Sequence, residues 1–131
     1  MSTDAGKLVL RLTLGLMMLF HGWDKIIGGV DGIAGLFQNS GFPGFLAYLV
    51  FVGEILAPLF LIAGAYTRVA AVLIAGNMVI AVLLVHVDDI FALSGTGGWA
   101  IELQAFYLMT AVVIFLLGPG KLSFMPESRW N

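Results

Sequence analysis

Residues 69–87 read VAAVLIAGNMVIAVLLVHV, a run of 19 residues that contains no Asp, Glu, Lys or Arg. At a helical rise of 1.5 Å per residue, such a run is about 28 Å long. The hydrocarbon core of a bilayer is about 30 Å thick, so a helix of this length is able to cross it. The run therefore predicts a membrane-spanning helix.

The rest of the chain has the same apolar character. It has 131 residues, of which 60% are hydrophobic and 11% are charged, and its mean hydropathy is +1.03. A soluble domain of this size could not remove so much apolar surface from water. Further segments of sufficient length are residues 8–27, 47–66 and 99–117. The sequence thus predicts an all-α integral membrane protein, a four-helix bundle in one transmembrane domain covering residues 1–131.

Charge and cysteine content exclude several classes of protein. The net charge of −2 offers no basic surface, so we expect no nucleic-acid partner. The chain contains no cysteine, which excludes a disulfide framework and iron–sulfur clusters held only by cysteine.

A signal peptide is an alternative for the first apolar segment, because Lys7 precedes the apolar run of residues 8–20. The sequence HGWDK follows that run in place of a small-residue cleavage site, so we expect a retained helix.

The connections and the positive charges predict the topology. Residues 28–45 are glycine-rich, yet Ile33, Leu36 and Phe37 have helical spacing, which favours a short interfacial helix in the first outer loop. With four spans, one side of the membrane carries most of the cations, and the other side carries only Lys25. The cations of the first side are Lys7, Arg11, Arg68, Lys121 and Arg129. Because positive residues concentrate on the cytoplasmic side, we expect both termini there.

Ionisable residues inside the spans are candidates for a functional site, since they are costly in a bilayer. Helical rise places most of them in the outer half of the bundle. This candidate polar cluster consists of His21, Lys25, Glu54, His86 and Glu102. The cluster could be an interhelical hydrogen-bond network, a site for a ligand or quinone headgroup, or a metal site. We expect no metal, because the Glu-x-x-His pair of di-iron bundles is absent.

Two further polar residues are assigned structural or lipid-facing roles. Arg11 lies near the cytoplasmic end, where its long side chain is expected to reach lipid headgroups. Asn77 lies near the middle of the third span, where it is expected to hydrogen-bond between helices.

The order of these motifs resembles the DoxX family of small bacterial membrane proteins with four helices. The resemblance covers residues 8–124, and the motifs that carry it are LRLTLGLMMLFHGWDKI, GFPGFLAYLVFVGEILAPLFLIAGAYTRVAA, VHVDDIF, GGWAIELQ and GPGKLSF. It implies a location in the inner membrane and an association with quinol oxidation or thiosulfate:quinone oxidoreduction. The family's recurrent polar positions correspond to Arg11, His21, Lys25, Glu54, His86 and Glu102. Lys121 and Met125 depart from the family's tail, which often carries Arg and Asp there.

We therefore expect a subunit or accessory of a quinone-linked redox complex, with no intrinsic cofactor and with quinone as the possible ligand. His21 or His86 would donate a hydrogen bond to a quinone carbonyl, and Glu54 or Glu102 would exchange a proton. The expected partners are the lipid bilayer and either another membrane protein or a second copy of the chain.

The alternative is a non-enzymatic scaffold that docks a larger complex through small residues of the third helix, namely Ala70, Ala71, Ala75 and Gly76. A transporter or channel is a third possibility, but the chain shows neither internal repeats nor broken helices.

Overall fold

The computed structural model describes residues 2–125. Its α-helices are α1 (Ser2–Gly28), α2 (Asp31–Asn39), α3 (Ala57–Ala63), α4 (Thr67–Val85) and α5 (Glu102–Leu117). A 3₁₀ segment, Gly44–Leu49, and a π-helical turn, Val52–Leu56, precede α3. A short 3₁₀ turn, Val87–Asp89, follows α4. No β-strand occurs within residues 2–125, so the prediction of an all-helical protein is confirmed.

Three helical segments are long and apolar enough to cross a membrane, judged by length and composition. They are α1, the composite helix Gly44–Ala63 and α4. The fourth predicted span, residues 99–117, is shorter than expected, because α5 begins only at Glu102 and has 16 residues. The first predicted span is longer than expected, since α1 begins at Ser2. A helix is present in the glycine-rich loop, where α2 covers Asp31–Asn39.

Glycine ends the helices on one side of the molecule. Gly64 (φ 77°) follows α3 in the left-handed conformation, and Gly118 (φ 78°) follows α5. Positive φ is accessible to glycine without steric cost, so these residues stop the helices. Tyr66 (φ 50°) is left-handed as well and completes the tight connection between α3 and α4.

The helices pack around one apolar core. α4 packs along α5, α1 packs against α3 and α5, and α3 packs against α4. The large core side chains include Leu14, Met18, Leu61, Ile74 and Ile114. Ala70 and Ala71, which we expected on a partner-docking face, belong to this core and are buried. That expectation is wrong for both residues, because α4 directs these two methyl groups towards other helices of the same chain, where they permit close packing.

The cations of the predicted cytoplasmic side lie at one end of the molecule. Asp4 Oδ1 accepts a hydrogen bond from the Lys121 backbone nitrogen at 3.0 Å, which brings the start of α1 to the segment after α5. Arg68 Nε donates to the Phe115 carbonyl at 2.9 Å. Arg129, the remaining cation of that side, lies outside the described residues.

Arg11 does not face lipid, as we expected it to, but is buried in the protein. Its side chain is only 1% exposed, and Arg11 Nη2 donates to the Leu122 carbonyl. The segment after α5 folds back over this guanidinium, because Phe124 N bonds to the Ala63 carbonyl at 3.0 Å. Arg11 therefore has a structural role at the junction of α1, the end of α3 and the C-terminal segment.

Candidate functional site

The π-helical turn at Val52–Leu56 places Glu54 inside the protein. Pro58 has no N–H to donate to the carbonyl four residues earlier, which is that of Glu54. The helix widens there, and Ala57 N bonds to the Val52 carbonyl, five residues back. Such π-turns inside α-helices are frequent at functional sites. The sequence signal for this turn is the position of Pro58 relative to Glu54.

Two glycines allow α1 and α4 to approach this turn closely. A Cβ atom on Gly22 would lie 2.5 Å from the Glu54 carbonyl oxygen. A Cβ atom on Gly53 would lie 2.6 Å from Cβ of Asn77. Contacts this close require residues without a side chain at both positions. Glu54 is consequently held between α1 and α4, and its side chain is only 5% exposed.

The Glu54 carboxylate has a partner on each neighbouring helix. Lys25 Nζ donates to Oε1 at 2.6 Å, and Asn77 Nδ2 donates to Oε2 at 3.3 Å. A buried carboxylate is expensive unless it is paired and hydrogen-bonded, and here it is both. The side chain of Lys25 is 22% exposed, so the ammonium group lies at the edge of the buried region. Asn77 forms the interhelical contact that we expected of it.

His21 contacts α5. Its Nε2 lies 3.4 Å from the Tyr107 hydroxyl, and the two rings meet edge to face with centroids 5.7 Å apart. Either group can donate in this contact, depending on the histidine tautomer. Tyr107 is 9% exposed, and the pattern of ionisable residues in the apolar segments does not point to it. The signal that could have found it is a phenolic hydroxyl near the middle of an apolar helix, where buried tyrosines need a hydrogen-bond partner.

His86 lies at the end of α4 and bridges two other residues. Gln104 Nε2 donates to His86 Nε2 at 3.3 Å, and His86 Nδ1 lies 3.1 Å from Asp89 Oδ2. Because an amide nitrogen only donates, Nε2 is the accepting nitrogen and Nδ1 carries the proton given to Asp89. Asp89 is the last residue of the 3₁₀ turn after α4, and 45% of its side chain is exposed.

These polar groups line a single elongated cavity with a volume of about 760 Å³. Its polar lining consists of His21, Lys25, Glu54, Asn77, His86, Gln104 and Tyr107. Most of the remaining wall is aliphatic, and Ile33 and Phe37 of α2 cover part of it. Along α4 the lining extends from Val72 to His86, a helical distance of about 21 Å. The lining residues Leu49 and Val72 are themselves exposed, so the cavity is partly open to the molecular surface.

The cavity includes four of the five residues of the predicted cluster and leaves out Glu102. The carboxylate of Glu102 lies beside Gly98, where a Cβ atom would be 2.7 Å from its Oε2, and the residue is exposed. The first turn of α5 directs Glu102 away from the cavity, and Gln104 takes the inward position. Within residues 2–125, no three His, Asp or Glu side chains are grouped closely enough to hold a metal ion.

The fold and the cavity define a class of protein: a helical membrane protein with a buried ion pair beside an apolar cavity. The profile of the DoxX family matches residues 6–87, more than half of the chain, and the chain belongs to this family.

Two relatives agree with this assignment. The chain is 28% identical to a Bacillus subtilis (strain 168) protein named "Putative oxidoreductase CatD", over 95% of this chain and 88% of the relative. It is 32% identical to "Inner membrane protein YqjF" of Escherichia coli (strain K12), over 63% of each chain. No solved structure matches the chain significantly. The chain is thus a multi-pass protein of the bacterial inner membrane.

Proposed function

We propose that this DoxX-family protein binds a quinone in the cavity and acts as a subunit or accessory of a membrane redox complex. The observation that supports this most is the combination of a buried, hydrogen-bonded ion pair, Lys25–Glu54, with a long apolar cavity. Binding sites for small amphipathic molecules typically join an apolar wall to a few convergent polar groups.

The shape of the cavity suits a molecule with a polar ring and an apolar tail. The exposed part of the lining, which includes Leu49 and Val72, would face lipid, so a tail could remain partly in the bilayer. At the polar end, Lys25 and Asn77 carry N–H donors that a ring carbonyl can accept from. Tyr107 and His21 share one hydrogen bond, which leaves one further donor at this position for the ring.

Glu54 is the group proposed to exchange protons with the bound ring. Reduction of a quinone to a quinol takes up two electrons and two protons, and the Glu54 carboxylate would deliver a proton to the ring after it has itself been protonated. The chain has no cysteine that could hold an iron–sulfur cluster, so the proposal assigns electron supply to a partner protein. The name of the Bacillus relative, which includes the word oxidoreductase, is in keeping with such a role.

We also propose how the chain is arranged in the membrane. The four apolar helical segments would cross the bilayer as a bundle, with both termini in the cytoplasm and with α2 in the outer interface. The contacts of Asp4 with Lys121 and of Arg68 with Phe115 support a shared end for the cytoplasmic cations. α5 is short for a complete span, and the turn that contains Trp99 would extend it to the interface.

The test is a binding titration with a short-tailed benzoquinone in lipid nanodiscs. Gly76 lines the cavity and a Cβ atom there meets nothing within 4 Å, so Gly76→Phe would fill the cavity without a backbone clash. We expect Gly76→Phe to weaken quinone binding by at least about tenfold, a loss of about 1.4 kcal/mol. Gly76→Ala is the matched control and should retain binding.

A compound with the same tail but no quinone ring separates specific binding from partition into lipid. Equal uptake of both compounds, unaffected by Gly76→Phe, would contradict the proposal and favour a scaffold. In that case Lys25 and Glu54 would serve only to join α1 to the composite helix.

A further inference from the structure

A series of polar residues begins at Asp89, outside the cavity, and continues along the cavity wall to Glu54. Asp89 and His86 lie at its outer end, and 45% and 30% of their side chains are exposed. Gln104 touches His86, and Tyr107 lies one helical turn further along α5. Tyr107 touches His21, and Lys25 lies one turn from His21 on α1 and contacts Glu54.

We propose that Asp89, His86, Gln104, Tyr107 and His21 form a proton route between the surface at the α4–α5 loop and the carboxylate of Glu54. The route extends the proposed function and depends on it, because the route would supply the proton that quinone reduction needs. Along this route, Glu54 exchanges protons with one side of the membrane, the side on which the α4–α5 loop lies.

Three contacts of the route are direct, at 3.1 Å, 3.3 Å and 3.4 Å. Two steps need water: from His86 to Tyr107, because the Gln104 amide donates to His86 Nε2 and does not pass a proton on, and from His21 to the ion pair. Both gaps border the same cavity, which is large enough for water and whose lining includes the polar side chains on each side of the gaps. A water molecule with several polar partners is able to bridge such groups. Histidine and tyrosine accept and release protons, and the glutamine amide orients its neighbours.

The groups around Glu54 are compatible with this assignment. Lys25 and His21 approach from α1, Asn77 from α4 and Tyr107 from α5. Arg11, the nearest cation towards the other end of α1, bonds to the Leu122 carbonyl and does not line the cavity. The cavity lining thus connects Glu54 with His86 and Gln104 and includes none of the cations of the opposite end.

Carbodiimide labelling, with the pH changed on only one side of the membrane, tests the route without any quinone. An apolar carbodiimide enters the bilayer and adds a protonated carboxyl group across one C=N bond. The resulting O-acylisourea either rearranges to an N-acylurea or acylates the adjacent Lys25 amine and releases the urea. Both products on Glu54 are identified by peptide mass. Glu102 is the internal reference, because it is exposed and lies outside the cavity.

Orientation in proteoliposomes is read from a single cysteine. The natural chain has none, so Thr96→Cys in the α4–α5 loop reports its side by reaction with an impermeant maleimide. Acidifying the compartment that faces Thr96→Cys should raise labelling of Glu54 by up to about tenfold per pH unit, the change in proton activity. Acidifying the opposite compartment should have little effect during the same interval.

Variants identify the residues that carry the response. After a rapid pH change, Tyr107→Phe and His86→Phe should slow the rise in Glu54 labelling by about tenfold or more, since each removes a proton-carrying group. Phe106→Leu changes the exposed neighbour of Tyr107 and is the matched control. The proposal is overturned by labelling that follows the opposite compartment, by unchanged kinetics in both variants, or by no labelling of Glu54 at any pH. Because no quinone is present, these results are independent of the binding titration.

Discussion

Lys25 Nζ and Glu54 Oε1 lie 2.6 Å apart, although they belong to different helices and are separated by 29 positions in the chain. The pair joins α1 to the π-turn at the level where Gly22 contacts the Glu54 carbonyl. Only 5% of the Glu54 side chain is exposed, so its charge depends on Lys25 and Asn77 for stabilisation. This dependence leads to the first prediction.

Lys25→Met should destabilise the protein by about 3 kcal/mol, because it leaves the Glu54 carboxylate buried without its cation. The double variant Lys25→Met/Glu54→Leu should recover most of that loss, since an apolar pair of similar volume removes the desolvation cost of both charges. The measurement is the free energy of unfolding in mixed detergent micelles. Additive losses in the double variant would show that the two residues do not act as a pair.

Gly22→Ala should destabilise the protein by about 1–3 kcal/mol, the usual cost of forcing extra volume into a packed contact. The new methyl group would lie 2.5 Å from both the Glu54 carbonyl oxygen and Ile55 Cγ1. Gly6→Ala in the same helix is the control, because nothing lies within 4 Å of its added Cβ atom. That control should be neutral or slightly stabilising, since alanine favours helix. Equal effects of the two substitutions on thermal unfolding would contradict the close contact.

Pro58→Ala should reduce the free energy of quinone binding by more than it reduces the free energy of unfolding. It restores an N–H one turn after Glu54, which permits a regular helix in place of the π-turn. Loss of the wider turn would rotate Glu54 away from Lys25 and Asn77. The titration described for the cavity measures affinity, and circular dichroism melting measures stability. Wild-type affinity in a stable Pro58→Ala variant would show that the π-turn does not position Glu54.

Arg11→Met should release the segment that follows α5. Arg11 Nη2 bonds to the Leu122 carbonyl, and Lys121 is exposed beside it. Trypsin should then cleave after Lys121 several times faster than in the wild-type protein, because local opening exposes the backbone. Arg68→Met, which removes an exposed bond to the Phe115 carbonyl, is the comparison and should change cleavage less. Mass spectrometry of the digest identifies the cleaved bond.

Much of the fold was predictable from local properties of the sequence. The apolar run of residues 69–87 predicts a long helix, and the structure has α4 at Thr67–Val85. Gly118 directly follows α5, and glycine after an apolar helical run is a local signal for a helix end. The helical spacing of Ile33, Leu36 and Phe37 predicted α2 inside a glycine-rich loop. Such signals depend on residues that are neighbours in the chain, so they can be recognised without tertiary information.

For the candidate site, the sequence predicted only the residue types and the depth of each residue in the membrane. Depth along the helices placed His21 and Glu54 at one level, and the structure brings both to one cavity. It did not identify Lys25 as the partner of Glu54 or Tyr107 as the contact of His21. It also placed Glu102 in the cluster and Arg11 towards lipid, whereas Glu102 lies outside the cavity and Arg11 is buried.

The sequence by itself determined that the chain is helical and apolar enough for a membrane, and which polar residues are costly there. The tertiary structure alone decided which of them meet. Rotation of each helix about its axis sets the direction of its side chains, and one residue corresponds to about 100°. The π-turn before Pro58 changes that rotation within a helix, and Gly22 and Gly53 set how closely the helices approach. Partner choice for Glu54 therefore depends on packing between segments that are distant in the chain.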